Sequence, residues 1–158
     1  MLHLRPFTSQ DYAPLISWLP TEQDFFLFSG TGETWPVPTT ALAERATQKD
    51  IHAWTAVLTT EPTTLVGHIE IVRTTPDAGR FARVLIEPNS RGQGMVRHLI
   101  GSGLAAARNL SMRRVDLNVV VGNEPALRSY SNMGFQLVGV NPDNPAMLQM
   151  TRSLDAAN

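Results

Sequence analysis

The order of strand-like and helix-like segments predicts an α+β fold, labelled α/β in some schemes, with a mixed, largely antiparallel central sheet and helices on both faces. Three β-rich runs follow one another in the first half of the chain, separated by short turns, as in an antiparallel meander. In the second half, strand-like and helix-like segments alternate, a pattern that packs helices against a sheet.

The individual elements follow from local periodicity. A short alternating run at Leu2–Arg5 predicts a strand, and apolar residues at helical spacing predict a helix over Thr8–Leu19. Glycine and proline mark Gly30–Pro38 as a loop. The remaining predicted elements are a helix at Thr39–Lys49, strands at Ala53–Leu58, Leu65–Val72 and Phe81–Glu87, a helix at Gly92–Arg108, a strand at Val115–Val121, a helix at Glu124–Met133, and strands at Gly134–Val140 and Met147–Ser153.

Length and charge limit the classes of function. The 158 residues favour a single domain over residues 1–158, because domains cluster at ~100–200 residues. Lys and Arg total 13 against 14 Asp and Glu, which gives a formal net charge of -1. Without a basic excess, nucleic acid is not the expected partner. Any anionic ligand must be held by local geometry.

Cysteine is absent, which excludes disulfide scaffolds, thiolate metal sites and thiol nucleophiles. The opening MLHLRPFTSQD places a charge and a proline where a secretory signal needs an apolar run. The most apolar helical stretch, Leu99–Ala107, is much shorter than the ~20 residues that span a bilayer. We expect a cytoplasmic protein, monomeric or homodimeric, with no membrane partner.

The segment from Val84 to Val96 carries the most specific motif. A strand ends at Pro88, and a glycine-spaced turn leads directly into a helix. The first turn of a helix leaves backbone N–H groups unpaired, and the helix dipole favours negative charge there. Gly92 and Gly94 let a pyrophosphate approach the backbone, and Arg91 adds a charge-assisted contact at the rim.

Two other phosphate motifs fail at this segment. A nucleoside-triphosphate loop requires a lysine followed by a hydroxyl residue, and both are missing. A dinucleotide fingerprint requires a third glycine in a parallel βαβ unit, but position 97 is Arg97 and the preceding strands are predicted to be antiparallel. An ordinary tight turn before a helix remains the structural alternative.

A second motif begins after the strand predicted at Val115–Val121. Asn123 is a good N-cap, and Ala126, Leu127 and Tyr130 share one helical face. Gly134 ends the helix. The structural alternative makes Tyr130 a core tyrosine and Asn123 only a cap.

Together the two segments resemble the acyl-CoA motifs of the GNAT superfamily of N-acyltransferases. The matching residues are Arg91-x-x-Gly94-x-Val96 and Asn123-x-x-Ala126-x-x-x-Tyr130-x-x-x-Gly134-Phe135. The opening Leu4-Arg5-Pro6 and the following helix with Trp18 look most like the ribosomal-protein N-terminal acetyltransferase (Rim-type) branch. Val96 departs from the Gly or Ala that is usual in the family.

The resemblance implies transfer of an acetyl group from acetyl-CoA directly to a primary amine, either a small molecule or a peptide N-terminus. It assigns Tyr130 the protonation of the leaving thiolate. The cofactor-binding residues that it implies are Leu85, Ile86, Arg91, Gly92, Gln93, Gly94, Met95, Val96, Asn123 and Tyr130. The alternatives are a CoA-binding or regulatory module that transfers nothing, and an interaction protein that uses an aromatic surface segment.

The general base has no single candidate. Asn118 stands where the N-terminal acetyltransferase branch often has a glutamate, and an amide cannot take a proton. Glu70, acting through water, is the first candidate, and His68 on the same side of its strand is the second. Each has the alternative of being a solvent-facing strand residue. The other histidines show no spacing typical of a metal site, so no metal is expected.

The acceptor end is predicted to lie at the first two helices and the loop Asp24–Trp35 between them. This part of the chain combines aromatic and acidic side chains, namely Phe25, Phe26, Phe28, Trp35, Glu22, Asp24 and Glu33. Such a mixture suits a cationic amine with an apolar body. A hydrophobic flap or a dimer contact is an equally compatible interpretation.

Overall fold

The computed structural model describes residues 1–30 and 34–155. Within them the chain forms a seven-stranded sheet in the order β1-β2-β3-β4-β5-β7-β6. The strands are β1 (Leu2–Pro6), β2 (Ile51–Leu58), β3 (Leu65–Thr75), β4 (Ala78–Ile86), β5 (Arg114–Val120), β6 (Gln136–Asn141) and β7 (Asn144–Ser153). Neighbouring strands are antiparallel, except that β4 and β5 run parallel. The predicted mixed, largely antiparallel sheet is confirmed.

Helices fill the connections before β2, between β4 and β5, and between β5 and β6. The α-helices are α1 (Tyr12–Ser17), α2 (Glu22–Ser29), α3 (Thr39–Ala46), α4 (Met95–Asn109) and α5 (Glu124–Asn132). Short 3-10 helices precede α1 at Ser9–Asp11 and follow β4 at Pro88–Ser90. In the part of the chain that the structure describes, no helix is long and apolar enough to cross a membrane.

The prediction of a loop over Asp24–Trp35 is wrong for its first part, because α2 runs to Ser29. Thr21 caps this helix by accepting a hydrogen bond from the Asp24 N–H at 3.0 Å. Gly30 ends it in the left-handed conformation, with φ of 71°. Three phenylalanines lower the intrinsic helix propensity and conceal the helix, while the cap residues at both ends are its sequence signal.

Two core clusters occupy the opposite faces of the sheet. On one face, α4 buries Leu99 against strand residues such as Ile69. On the other face, α1, α2 and α3 bury residues such as Phe25 and Leu42, and Leu85 packs against them. Because side chains alternate along a strand, the residues flanking Ile69 on β3 point towards α1–α3. The predicted placement of helices on both faces is confirmed.

A buried carboxylate attaches the start of α1 to the sheet. Asp11 is 3% exposed and accepts hydrogen bonds from the Arg5 guanidinium at 2.8 and 2.8 Å. It also accepts from the Thr8 N–H at 2.9 Å and the Thr55 hydroxyl at 2.8 Å. Burial by itself raises the pKa of Asp11, but these hydrogen bonds outweigh burial and lower the pKa to about 2.

We expect Asp11→Asn to lower the free energy of unfolding at neutral pH by about 2 kcal/mol, since a carboxyl with a depressed native pKa stabilises the folded state when ionised. This contribution is complete above the ordinary pKa of 3.8 and is lost as the pH falls towards about 2. Urea unfolding at several pH values checks the expectation. The exposed Asp143→Asn is the control. A difference between wild type and Asp11→Asn that is constant from pH 7 to pH 2 contradicts this account.

Candidate active site

The parallel strands β4 and β5 pair only near their starts. The paired residues are Ala78, Gly79 and Arg80 opposite Arg114, Val115 and Asp116. Beyond them, β4 continues to Ile86 and β5 to Val120 without further pairing to each other. The carboxyl halves of the two strands are therefore separated, and β4 has no strand partner on that side.

A β-bulge in β4 lies just before the end of the strand. His68 pairs with Leu85 and Glu70 pairs with Ala82, so that Arg83 and Val84 together span the single residue between His68 and Glu70. Arg83 has a positive φ of 50°. Bulges redirect side chains. Here Arg83 lines a cavity beneath α1 and α3, whereas the adjacent Val84 lines a cleft at the start of α4.

The cleft has a volume of about 430 Å³ and lies between the end of β4 and the first turn of α4. Its lining residues are Val84, Leu85, Ile86, Ser90, Arg91, Gly92, Gly94, Met95 and Val96. All except Val84 and Ser90 are among the cofactor-binding residues predicted from the sequence. Gln93 does not line the cleft, and its side-chain amide donates a hydrogen bond to the Asn89 carbonyl at 3.4 Å.

Helix α4 begins three residues later than predicted, because Gly92 and Gly94 have left-handed φ values of 76° and 74°. A Cβ at either position would meet no heavy atom within 4 Å. The backbone conformation therefore requires these glycines, and the same absence of side chains exposes the first-turn N–H groups of α4. Gly94 is the N-cap and supplies no side-chain hydrogen bond. The N-terminus of this 15-residue helix is thus suited to an anion.

Polar contacts hold the turn before α4 in place. The Arg91 guanidinium donates a hydrogen bond from Nε to the Ile86 carbonyl at 3.0 Å. The Glu87 carboxylate accepts from the Asn89 N–H at 3.0 Å and from the Ser90 hydroxyl at 2.9 Å. Arg91 is thereby fixed at the wall of the cleft, and Glu87 acts as a cap of the 3-10 turn.

The second predicted motif lies on α5. Asn123 caps the helix by accepting a hydrogen bond from the Ala126 N–H at 3.2 Å. Tyr130 packs against the same core cluster as Val84 and Val96, and its ring meets Phe135 edge-on at 5.9 Å. Burial raises the pKa of the Tyr130 phenol. Neither Asn123 nor Tyr130 lines the 430 Å³ cleft itself.

A smaller cavity of about 120 Å³ lies on the α1–α3 side of the sheet. It contains four polar side chains among apolar ones: Arg45, His68, Glu70 and Arg83. Glu70 is 3% exposed and binds Arg45 through three hydrogen bonds of 2.8 to 3.0 Å. The structure therefore places Glu70 and His68 on one side of β3, as predicted, but buried and not facing solvent.

The ring of His68 is enclosed by aromatic neighbours. The ring of Phe7 meets it edge-on with 4.6 Å between the ring centroids, and the centroid of the Phe28 ring lies 5.8 Å away. Burial, together with the nearby guanidinium groups of Arg83 and Arg45, lowers the pKa of His68 to about 3 despite the opposing charge of Asp11. The ring is therefore neutral at physiological pH. Its Nδ1 has no hydrogen-bond partner among the described residues.

A third opening, of about 160 Å³, adjoins the end of β4 beneath α2. Asp24, Leu27 and Phe28 line it together with Leu85 and Arg91, which also line the larger cleft. Carboxylate and aromatic side chains of the predicted acceptor segment thus lie beside the cleft. Glu33, which belongs to the same prediction, lies outside the described residues.

Sequence reasoning missed Arg45 and Arg83 as members of the site. Arg45 reaches Glu70 across 25 positions of the chain, and no local pattern reports such a contact. Asn118, the position of the family glutamate, accepts a hydrogen bond from the Asn141 side chain at 3.0 Å. Among residues 1–30 and 34–155, no group of three or more potential ligands is arranged to hold a metal ion.

Solved structures share this architecture. The spermidine N-acetyltransferase of Vibrio cholerae, in complex with CoA and spermine, aligns with a TM-score of 0.79 and 20% identity over 96% of this chain and 95% of that chain. A point mutant of the same enzyme aligns with a TM-score of 0.75 and 18% identity over 98% of this chain and 99% of that chain. At these identities the likeness concerns the fold.

Sequence comparison adds a relative and a family. Mycothiol acetyltransferase of Brachybacterium faecium is 31% identical over 102 residues, which are 62% of this chain and 31% of that protein. The chain thus spans about a third of the length of this relative. The model of the acetyltransferase (GNAT) family matches residues 16–135, which include β4, α4 and α5. The chain belongs to the acetyltransferase (GNAT) family.

Proposed function

We propose that the protein is an N-acetyltransferase that moves an acetyl group from acetyl-CoA directly to a primary amine. The observation that carries this proposal is a single cleft, in a GNAT family member, that is bordered by a strand end and by the start of a helix. The end of β4, beyond its pairing with β5, meets the glycine-opened N-terminus of α4 in one cleft. The cleft supplies an anion site and an apolar wall side by side.

The residues of the cleft fit acetyl-CoA. The exposed first-turn N–H groups of α4, opened by Gly92 and Gly94, would hold the pyrophosphate, with Arg91 beside them. Leu85 and Ile86 would receive the pantetheine arm, because β4 has no strand partner on its β5 side there. Val96 lines the cleft without closing it, so the departure from Gly or Ala is compatible with binding.

Bound acetyl-CoA supplies the thioester, whose acyl carbon accepts the amine and whose sulfur departs as a thiolate. The Ile86 N–H points away from β3 by strand alternation, because the Glu87 N–H donates to the Val66 carbonyl, and it would stabilise negative charge on the carbonyl oxygen. The partly buried phenol of Tyr130 keeps its proton at neutral pH, since burial raises its pKa, and would give that proton to the departing thiolate. Asn123 would orient the pantetheine or a water molecule at the start of α5.

The acceptor must lose a proton before it attacks. For a lysine-like amine of pKa ~10.4, deprotonation at pH 7 costs about 4.6 kcal/mol. We propose that Glu70 accepts this proton through water, and that Arg45 holds the carboxylate in place. His68 is the weaker alternative because its pKa of about 3 makes the buried ring a poor base.

A small amine is our first choice of acceptor, because two of the openings beside β4 are compact, at about 120 and 160 Å³. A peptide N-terminus, as in the Rim-type branch, is the second. It is favoured by the exposed apolar side chains of Phe26 and Leu27, which are 44% and 52% exposed on α2. These side chains offer a surface against which a peptide could lie.

The decisive experiment measures thiol release from acetyl-CoA across a panel of small amines and short peptides, alongside calorimetry with acetyl-CoA alone. We expect binding, and thiol release that depends on the amine. If the protein does not bind acetyl-CoA at millimolar concentration, the proposal that acetyl-CoA is its cosubstrate is wrong. Binding without thiol release for any amine favours a CoA-binding or regulatory module instead.

Tyr130→Phe should lower kcat by about 100-fold or more, the usual contribution of a general acid, while leaving acetyl-CoA affinity nearly unchanged. Because burial raises the pKa of Tyr130, any loss of activity caused by its ionisation should lie above pH 10. Tyr12→Phe is the matched control, since these are the two tyrosines of the chain. If Tyr130→Phe keeps the turnover of the wild type, Tyr130 is not the general acid.

Gly94→Ala should weaken acetyl-CoA binding about tenfold and destabilise the fold by about 1–2 kcal/mol, because an alanine at a φ of 74° is strained. Gly101→Ala is the control within the same helix. It has open space around its Cβ position and ordinary helical geometry, so it should raise stability by about 1 kcal/mol and leave binding unchanged. Calorimetry and thermal unfolding give both quantities. If Gly94→Ala and Gly101→Ala bind acetyl-CoA with equal affinity, the proposed anion site at the start of α4 is wrong.

A further inference from the structure

The 120 Å³ cavity has a composition that stability does not explain. Arg45, His68, Glu70 and Arg83 share it with apolar side chains from α1, α3 and β2. Three of these four polar side chains are no more than 7% exposed. Buried ionic groups are often no more stabilising than apolar groups of similar size. A cavity in which a few polar groups converge among apolar side chains has the usual form of a binding site.

Two guanidinium groups make the cavity a favourable place for negative charge. Arg45 is engaged by Glu70, and Arg83 lies with its Cζ 5.3 Å from the centre of the Phe28 ring. The charges of both guanidinium groups lower the pKa of His68. This effect shows that they place positive charge close to the ring. A guanidinium carries five N–H donors, so a carboxylate can join the contacts that Arg83 and Arg45 already make.

The neutral ring of His68 adds an independent indication of a polar ligand. His68 is 2% exposed, and its Nδ1 has no hydrogen-bond partner among the described residues. A buried polar atom costs free energy unless a ligand or water satisfies it. The ring borders the cavity, so a ligand held there can provide that partner.

We propose that the acceptor amine carries a carboxylate, and that Arg83 binds this carboxylate in the cavity while the amine reaches the acyl group in the neighbouring cleft. The substrate class is thus a small amino acid. This inference rests on the proposed acetyltransferase function and names the acceptor of that same site.

The bulge of β4 makes this arrangement possible. Arg83 lines the cavity and Val84, the next residue, lines the acyl-CoA cleft. Consecutive Cα atoms are only about 3.8 Å apart. Because the two chambers share one strand end, a compact acceptor can place its carboxylate at Arg83 and its amine at the end of β4. A volume of 120 Å³, roughly that of four waters, is enough for a carboxylate.

The test compares matched acceptors by thiol release from acetyl-CoA. Each L-amino acid of a standard panel is paired with its amide and with the amine left after removal of the carboxylate, and spermine represents carboxylate-free polyamines. We expect the preferred acids to exceed their amides and amines at least tenfold in kcat/KM. If amides, amines or spermine are turned over equally well or better, the proposal that the acceptor carries a carboxylate is wrong, but the proposed transferase function is unaffected. No thiol release with any compound overturns both.

Variants then locate the carboxylate. Arg83→Gln should raise KM for the preferred acid about tenfold or more and remove the preference over its amide, whereas Arg83→Lys should restore part of it. Arg80→Gln, on the same strand but outside the cavity and clefts, should behave as wild type. An Arg83→Gln protein that binds acetyl-CoA and keeps the preference overturns the assignment. If that variant fails to bind acetyl-CoA, the wild-type comparison of acid with amide still decides.

Discussion

The site depends on one constraint in the sheet, namely that β4 and β5 stop pairing after Arg80 and Asp116. Parallel strands joined by a helix normally pair along their shared length, and a continued ladder would close the space between them. Here β5 is held along its whole length by β7 instead, and β4 by β3. The sheet therefore remains continuous while its centre is open at one end, and α4 begins at that opening.

The β4 bulge connects this opening to the opposite face of the sheet. A regular strand would alternate its side chains without interruption, whereas the extra residue places Arg83 and Val84 together opposite one position of β3. One strand end thus borders two chambers, the cleft proposed for acyl-CoA beside α4 and a polar cavity covered by α1 and α3. The reacting groups of two substrates can meet at β4 although their remaining parts are bound on different faces.

The sequence was informative where the physical cause is local. The glycines at 92 and 94 predicted most of the cleft, the N-cap at Asn123 predicted the start of α5, and strand alternation predicted a mixed, largely antiparallel sheet. It was uninformative where the cause is a distant contact. The bulge depends on the register between β3 and β4, and the Arg45–Glu70 pair depends on how α3 packs over β3. Neither leaves a periodic trace, so Arg45 and Arg83 were not anticipated as site residues.

Although the net charge of the chain is close to zero, positive charge is concentrated at two places in the structure. At the start of α4, backbone N–H groups provide the positive end of a dipole, and that site needs no lysine and little net charge. In the polar cavity, by contrast, the charge comes from whole guanidinium groups, and Glu70 offsets part of it. Since the Arg45–Glu70 pair also joins α3 to β3, a shift of α3 would change the field at His68 and at Arg83. The packing of one short helix over the sheet thereby sets the electrostatic character of the polar cavity.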